Sequence, residues 1–432
     1  MPKPHLKRTR RQLMSLNKWK LRLIFWTTAV IIGATAALFA IASNFSDGLF
    51  HRLYDYSPNL AYVLTPVGLG FIAWLTKYLF KGTEGSGIPQ AIAALSMRDS
   101  ALRATVLSLR IAIGKIILTC MGLMCGASIG REGPTVHVGA SLMYSVRHHF
   151  PLRSRDMQRA LILAGGAAGI SAAFNTPLAG ILFAIEEMSR KFEERTSGVL
   201  IIAVVLAGVT AVAFLGDYTY FGSSSVQLAL TPLAWLAVIA CGVIGGLTGG
   251  LFSQTLICGT RRIAPLLKSY PVFIAFSCGL ILSLLGMISG GHTYGTGYEE
   301  AKHLVTASSD VDLAFPILKM LATVVSYLSG IPGGIFAPSL SVGAGLGADL
   351  SMLFSSLPMQ ALVMLGMVGY FTGVVQTPIT AFVIVMEMTD SSSMMLPLMA
   401  TALIAKSISH LVCPRPIYQA LADAYLARTT AK

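Results

Sequence analysis

From Tyr218 to Thr260 the chain passes through neither an acid nor a basic lysine or arginine, and this is one of several such runs. Others extend from Leu23 to Ser46, Ser57 to Thr76, Ala160 to Ile185, Ser197 to Gly216, Ser269 to Tyr298, Met320 to Ala348, Leu350 to Met386 and Ser391 to Ala405. A helix needs about 20 apolar residues to cross the hydrocarbon core of a bilayer. With 54% hydrophobic and only 12% charged residues among 432, and a mean hydropathy of +0.69, a soluble globular chain is excluded. An all-α polytopic membrane protein is the fold class that remains. Several runs are too long for one helix and too interrupted by Gly and Pro to be simple pairs. Broken and partial helices are expected, and irregular backbone persists in a membrane only where protein or a polar cavity surrounds it.

One interruption carries a charge pair. Gly130-Arg131-Glu132-Gly133-Pro134 places a base and an acid side by side in an apolar neighbourhood. Its glycines and early proline have the look of an abrupt helix start. Such a start leaves backbone N–H groups without intrahelical partners and carries the positive end of the helix dipole, so it attracts anions. The G-x-x-x-P spacing recurs at Gly85-Ser86-Gly87-Ile88-Pro89 and from Gly334 through Ile335 and Phe336 to Pro338. Three helix starts of one design suggest one shared anion site. Ser86 brings a hydroxyl donor, whereas apolar Ile335 and Phe336 can offer only their backbone N–H groups.

The formal net charge is +13, and its distribution argues for membrane orientation rather than nucleic-acid binding. Lys3, Lys7, Arg8, Arg10, Arg11, Lys18, Lys20 and Arg22 precede the first apolar run. By the positive-inside rule, residues 1–22 form a basic cytosolic tail, and contact with lipid is its simplest role. A signal peptide fits less well, because the apolar run is too long and no small-residue cleavage site follows. Glu299, Glu300, Asp310 and Asp312 read as a loop on the opposite, outer face. Lys115 either snorkels or raises the potential along an anion path. The six cysteines show no metal spacing and read as packing residues.

The chain also repeats itself. Asn175-Thr176-Pro177 runs on to Glu186, and Gln376-Thr377-Pro378 runs on to Glu387, with the same Pro-to-Glu spacing. Each copy follows a G-x-x-x-P start. Two related halves are expected, the first at about 57–216 and the second at about 230–413, inside one domain from 23 to 432 that ends in a helix at about 415–428. Transporters often pair such halves with inverted topology around a site near the bilayer midplane.

Together, the three G-x-x-x-P turns in this order, the Ala172–Met188 run, the Met386–Asp390 run and Pro416-Ile417-Tyr418 resemble the signature of the CLC chloride channel and proton/chloride exchanger family. The resemblance implies a homodimer with one anion pathway per subunit, in a fold of two inverted repeats built from broken and tilted helices. It implies no cofactor, only chloride and protons as transported ions, and a place in the bacterial inner membrane with both termini cytosolic. It assigns anion coordination to Ser86, Tyr418 and the amides of Ile335 and Phe336, a protonatable gate to Glu132, and proton transfer to Glu187. An acid at the Glu187 position marks the exchanging members, so chloride/proton exchange is expected; a passive chloride channel of the same fold is the alternative. Nitrate-preferring members resemble this chain except for proline at the Ser86 position, and fluoride-specific members differ there and at Gly130–Pro134, which favours chloride. Gln90 departs from the acid that many members carry. No appended nucleotide-binding module is expected.

The resemblance agrees with the electrostatics. Burial favours the neutral form of Glu132, while helix N-termini and Arg131 favour its carboxylate, so proton and anion compete for one place. An intramembrane enzyme would need a nucleophile paired with a base, or a metal-ligand cluster, and neither pattern is present. On spacing alone Glu187 could equally be a helix-end acid reaching water.

Overall fold

A computed structural model describes residues 16–149, 155–189, 194–216, 219–224, 226–306 and 312–430. The basic positions before Leu16, together with Asp310, lie outside the described residues. Among the described residues the chain is helical, and eight helical stretches are long and apolar enough to cross a membrane.

Helix α1 (Leu16–Tyr56) is longer than the apolar run that suggested it, because helical residues continue on both sides of Leu23–Ser46. At 1.5 Å per residue its 41 residues reach roughly 60 Å, about twice a bilayer core. Then come α2 (Ala61–Tyr78), α3 (Ile88–Ser96), α4 (Ser100–Val106), α5 (Leu109–Met124), α6 (Glu132–Ser145) and α7 (Arg155–Phe174). Next, α8 (Pro177–Phe183) widens into a π-helical stretch at Ala184–Ser189, and α9 (Glu194–Leu215) closes the first half. The second half contains α10 (Pro232–Ser269), α11 (Pro271–Ile288), α12 (Tyr298–Val305), α13 (Phe315–Leu328) and α14 (Phe336–Leu353). It ends with α15 (Met359–Val375), α16 (Pro378–Thr389), α17 (Met395–Val412) and α18 (Ile417–Thr430).

Several of these cannot cross a bilayer. The 14 residues of α6 reach only about 20 Å. The sequence shows why α6 starts where it does: Gly130 and Gly133 admit close neighbours, and Pro134 in the first turn costs no intrahelical bond. Small residues then allow tight helix contact. A Cβ at Gly139 would lie 2.3 Å from the Gly165 carbonyl oxygen, so α6 and α7 touch backbone to backbone. In the second half Gly343 on α14 and Gly366 on α15 make the equivalent approach.

The repeat predicted from the Pro-to-Glu spacing has a physical join. Glu186, beyond the end of α8, accepts hydrogen bonds from the N–H groups of Ile379 (3.3 Å) and Thr380 (2.7 Å) at the start of α16. Glu387 on α16 accepts from Leu178 (3.2 Å) and Ala179 (2.9 Å) at the start of α8. Each half thus places a carboxylate on the positive end of the other half's helix. Asn175 and Gln376 both adopt left-handed backbone just before these helices, with φ of 57° and 60°.

Glu299 and Glu300, expected in an acidic loop, belong to α12, and Glu300 faces His292 at 3.5 Å. Asp312 caps the turn before α13, accepting from the Ala314 N–H at 3.2 Å. All six cysteines are free thiols in or beside helices.

Candidate functional site

The three G-x-x-x-P turns meet. Gly130 N–H donates to the Gly334 carbonyl, and Gly334 N–H donates back to that of Gly130, both at 2.7 Å. Gly85 N–H reaches the Ile331 carbonyl at 3.3 Å, and Gly333 N–H reaches that of Gly85 at 3.4 Å. Gly334 and its neighbours therefore tie the other two turns together, so the starts of α3, α6 and α14 share one buried centre. Ile88 and Pro89 open α3, Pro134 lies in the first turn of α6, and Pro338 lies in that of α14. The first N–H groups of each helix have no intrahelical acceptor.

Close approach dictates the glycines. A Cβ on Gly133 would lie 2.2 Å from Ser86 Oγ, and Gly87 has φ of 97°, a conformation that side chains resist. Gly130 is equally constrained, because a Cβ there would lie 2.3 Å from Glu132 Oε2 and 3.4 Å from the Ala337 amide nitrogen. The Glu132 carboxylate thus folds back against the start of α14. Its Oε1 accepts from the Tyr220 hydroxyl at 3.3 Å.

Ser86, Glu132 and Tyr418 are fully buried, and Ile335 and Phe336 nearly so. Among the described residues neither Ser86 Oγ nor the Tyr418 hydroxyl completes a hydrogen bond, although the two face one another. Buried hydroxyls are normally satisfied, so a pair left open beside helix N-termini is chemistry suited to an anion. Aromatic rings wall the place. Phe336 stacks on Tyr418 with centroids 5.8 Å apart and meets Phe371 edge-on at 4.8 Å.

Glu187 occupies the π-helical stretch and is 1% exposed. This disposes of the reading in which it is a helix-end acid in water. It lies within electrostatic reach of Tyr418, as Glu132 does. Arg131 does not turn toward the carboxylate of its neighbour. Its guanidinium donates to the Ala40 carbonyl (2.9 Å) and Asn44 Oδ1 (2.5 Å) on α1, and it lies over the Tyr220 ring.

Lys115 neither snorkels nor lines open space. It is fully buried, and Nζ donates to the carbonyls of Thr83 (2.8 Å) and Gly85 (3.0 Å), which orients the Ser86 turn. Gln90 braces the same turn by donating to the Glu84 carbonyl at 2.6 Å. Sequence reasoning passed over Tyr220 and the caps Glu186 and Glu387; the repeated Pro-to-Glu spacing was the available signal for the caps.

Broken helices whose N-termini converge on buried hydroxyls and a carboxylate define the class: a polytopic membrane protein organised around one polar centre. Residues 68–410 match the family described as Voltage gated chloride channel, and the chain belongs to that family. Its fold is of CLC type, with two repeats of inverted topology. The H(+)/Cl(-) exchange transporter ClcA of Salmonella schwarzengrund is 30% identical over 98% of this chain and 92% of its own length. That of Citrobacter koseri is 29% identical over the same shares. Among solved structures, a slow cyanobacterial Cl-/H+ antiporter superposes with a TM-score of 0.81 at 25% identity, covering 94% of this chain and 98% of its own. A CLC-type fluoride/proton antiporter has the same fold, with a TM-score of 0.79 at 24% identity over 92% and 96% of the two chains.

Proposed function

We propose that this protein exchanges chloride for protons across the membrane, with Glu132 as a protonatable gate and Glu187 as the acid that passes protons to and from the other side. The observation that carries the reading is the joining of three turns through the segment at Ile331–Gly334, which brings three helix N-termini and Ser86 together where the Glu132 carboxylate and the Tyr418 hydroxyl also lie buried. Chloride is held by the Ser86 and Tyr418 hydroxyls and by the amides of Ile335 and Phe336. An ionised Glu132 competes with the anion for the same positive field; once neutral, it gives up that field and leaves. Occupancy by proton and by chloride is thereby linked without any chemical reaction.

Several features support exchange over a passive channel. Glu187 is buried beside Tyr418, where a carboxylate has no stabilising reason to be kept away from water. The ClcA relatives named above are exchange transporters. Ser86, rather than proline, favours chloride over nitrate. By positive-inside orientation the start of α1 and the tail before it are cytosolic, which places the far end of α1 on the outer face of a bacterial inner membrane. The protein works as a homodimer with a pathway in each subunit. Leu178 and Ile379, 57% and 48% exposed beside the reciprocal carboxylate caps, belong to an apolar rim suited to that contact.

Reconstitution in liposomes tests the reading. With chloride inside and a proton electrode outside, chloride running down its gradient is expected to drive protons uphill. Chloride flux with no proton movement would instead establish the passive channel.

A further inference from the structure

The second half contains a glycine turn apart from the Ser86 centre. Gly295-Thr296-Gly297 precedes α12 as Gly85-Ser86-Gly87 precedes α3, and all four glycines adopt positive φ, between 62° and 97°. Lys319 stands fifteen positions before Gly334, as Lys115 stands fifteen before Gly130. Lys319 is also fully buried, and its Nζ donates to the carbonyls of Thr293, Tyr294 and Gly295, each at 3.0 Å. The two lysines hold two glycine turns in the same way, one in each half.

The second turn already holds an acidic side chain, and that side chain is tethered. Asp47 on α1 accepts from Thr296 through Oγ1 (3.3 Å) and, at 3.5 Å, through N–H. A Cβ at Gly295 would lie 2.0 Å from Asp47 Oδ1, which completes no hydrogen bond among the described residues. Ser341 of α14 also points at the turn: its Oγ would lie 2.4 Å from a Cβ on Gly297, belongs to a fully buried residue and has no hydrogen-bond partner among the described residues. Among the described residues Lys319 forms no ion pair within 4.0 Å, so its buried charge is balanced only at longer range by Asp47 and Glu300. The Asp47 side chain keeps 19% exposure.

We propose that the Gly295–Gly297 turn is a second halide-binding site, lined by Thr296, Ser341 and Lys319 and filled at neutral pH by the Asp47 carboxylate. Protonating or deleting that carboxylate removes one negative charge from beside a buried ammonium, and a halide restores the balance. The other titratable groups facing the cluster are His51, 3.9 Å from Asp47 on α1, Tyr54 against Gly291, His292 in the loop before the turn and Glu300 on α12. On the orientation proposed above the site opens to the outer face. It is separate from the centre at Ser86 and does not depend on the exchange reading.

Crystals of the full-length protein grown in bromide test this by anomalous diffraction. In Asp47→Ala a bromide peak is expected beside Thr296, Ser341 and Lys319, and Ser341→Ala in that background is expected to weaken it. Unsubstituted protein should lack the peak at neutral pH and gain it in acid, so the test stands even if the variant fails to fold. Bromide at the Ser86 centre with none at the turn, in acid and in the variant alike, overturns the proposal and leaves the exchange reading untouched. Bromide at the turn alone upholds the second site and counts against the central one. Bromide at neither overturns both.

Discussion

The two halves of this protein are built alike and equipped differently. Each has a glycine turn braced by a buried lysine, a G-x-x-x-P start joined to its counterpart, and a Pro-to-Glu helix whose acid caps the opposite half. At the two positions proposed to carry protons, only the first half has an acid. Glu132 faces the centre where the second half presents Phe336, and Glu187 stands where the second half has Met388. The contrast teaches that duplication supplied the scaffold, while the acids proposed to carry protons belong to one copy. A related local difference is the π-helical stretch at Ala184–Ser189, which the α-helical α16 lacks. π-helical turns often mark functional positions, and here one carries Glu187.

The sharpest way to break the contrast is to erase the first half's acids. Glu132→Gln is expected to abolish proton movement and the pH dependence of transport while anion flux continues; retained coupling in the liposome assay would remove Glu132 from its role. Glu187→Gln should likewise abolish proton coupling and spare chloride movement. Loss of both together would point to damaged folding. The converse experiment puts an acid into the second half. Met388 is fully buried, so Met388→Glu should create no second proton route and should destabilise the protein by about 3 kcal/mol or more, read from thermal unfolding in detergent. A variant as stable as the parent would contradict that burial.

Where the halves match, effects should match. Glu186→Gln and Glu387→Gln each weaken a charge-assisted cap on a helix N-terminus. Each is expected to cost about 1–2 kcal/mol, with neither affecting coupling. A large difference between them would refute their equivalence. The smallest effect concerns the second half's turn. The hydrogen bond from His292 to Glu300 holds the imidazole above its ordinary value. Glu300, which burial alone would raise, is instead held below the carboxylate range by His292 and Lys319. A raised histidine stabilises below its unfolded value and loses that contribution as pH rises through the folded one. A lowered carboxylate stabilises above its unfolded value and loses that contribution as pH falls through the folded one. The pair should therefore add most between ordinary carboxylate and histidine values, and His292→Ala should flatten that part of a stability profile against pH.

Much of this was legible in the sequence because glycine and proline declare themselves. Three G-x-x-x-P turns announced helix starts that the structure brings together, and the Pro-to-Glu spacing announced the repeat. What stayed hidden depended on direction rather than identity. Lys115 reads as a snorkelling lysine until its carbonyl partners are seen, and Arg131 as a partner of Glu132 until it is found reaching α1. Glu186 and Glu187 are adjacent and alike in sequence. Only the local winding of the helix separates them, sending one to cap α16 and the other into the interior. The second glycine turn escaped notice because it ends in Tyr298 and Glu299 where the first has Ile88 and Pro89.

The exchanged caps also bear on how the chain is made. When α8 leaves the ribosome, the residue that will satisfy its first amides, Glu387, has not been synthesised, whereas α16 emerges to find Glu186 waiting. The nascent first half must therefore wait, its helix start provisionally solvated, until about two hundred further residues have followed. Completion of the second half is then what seals the first.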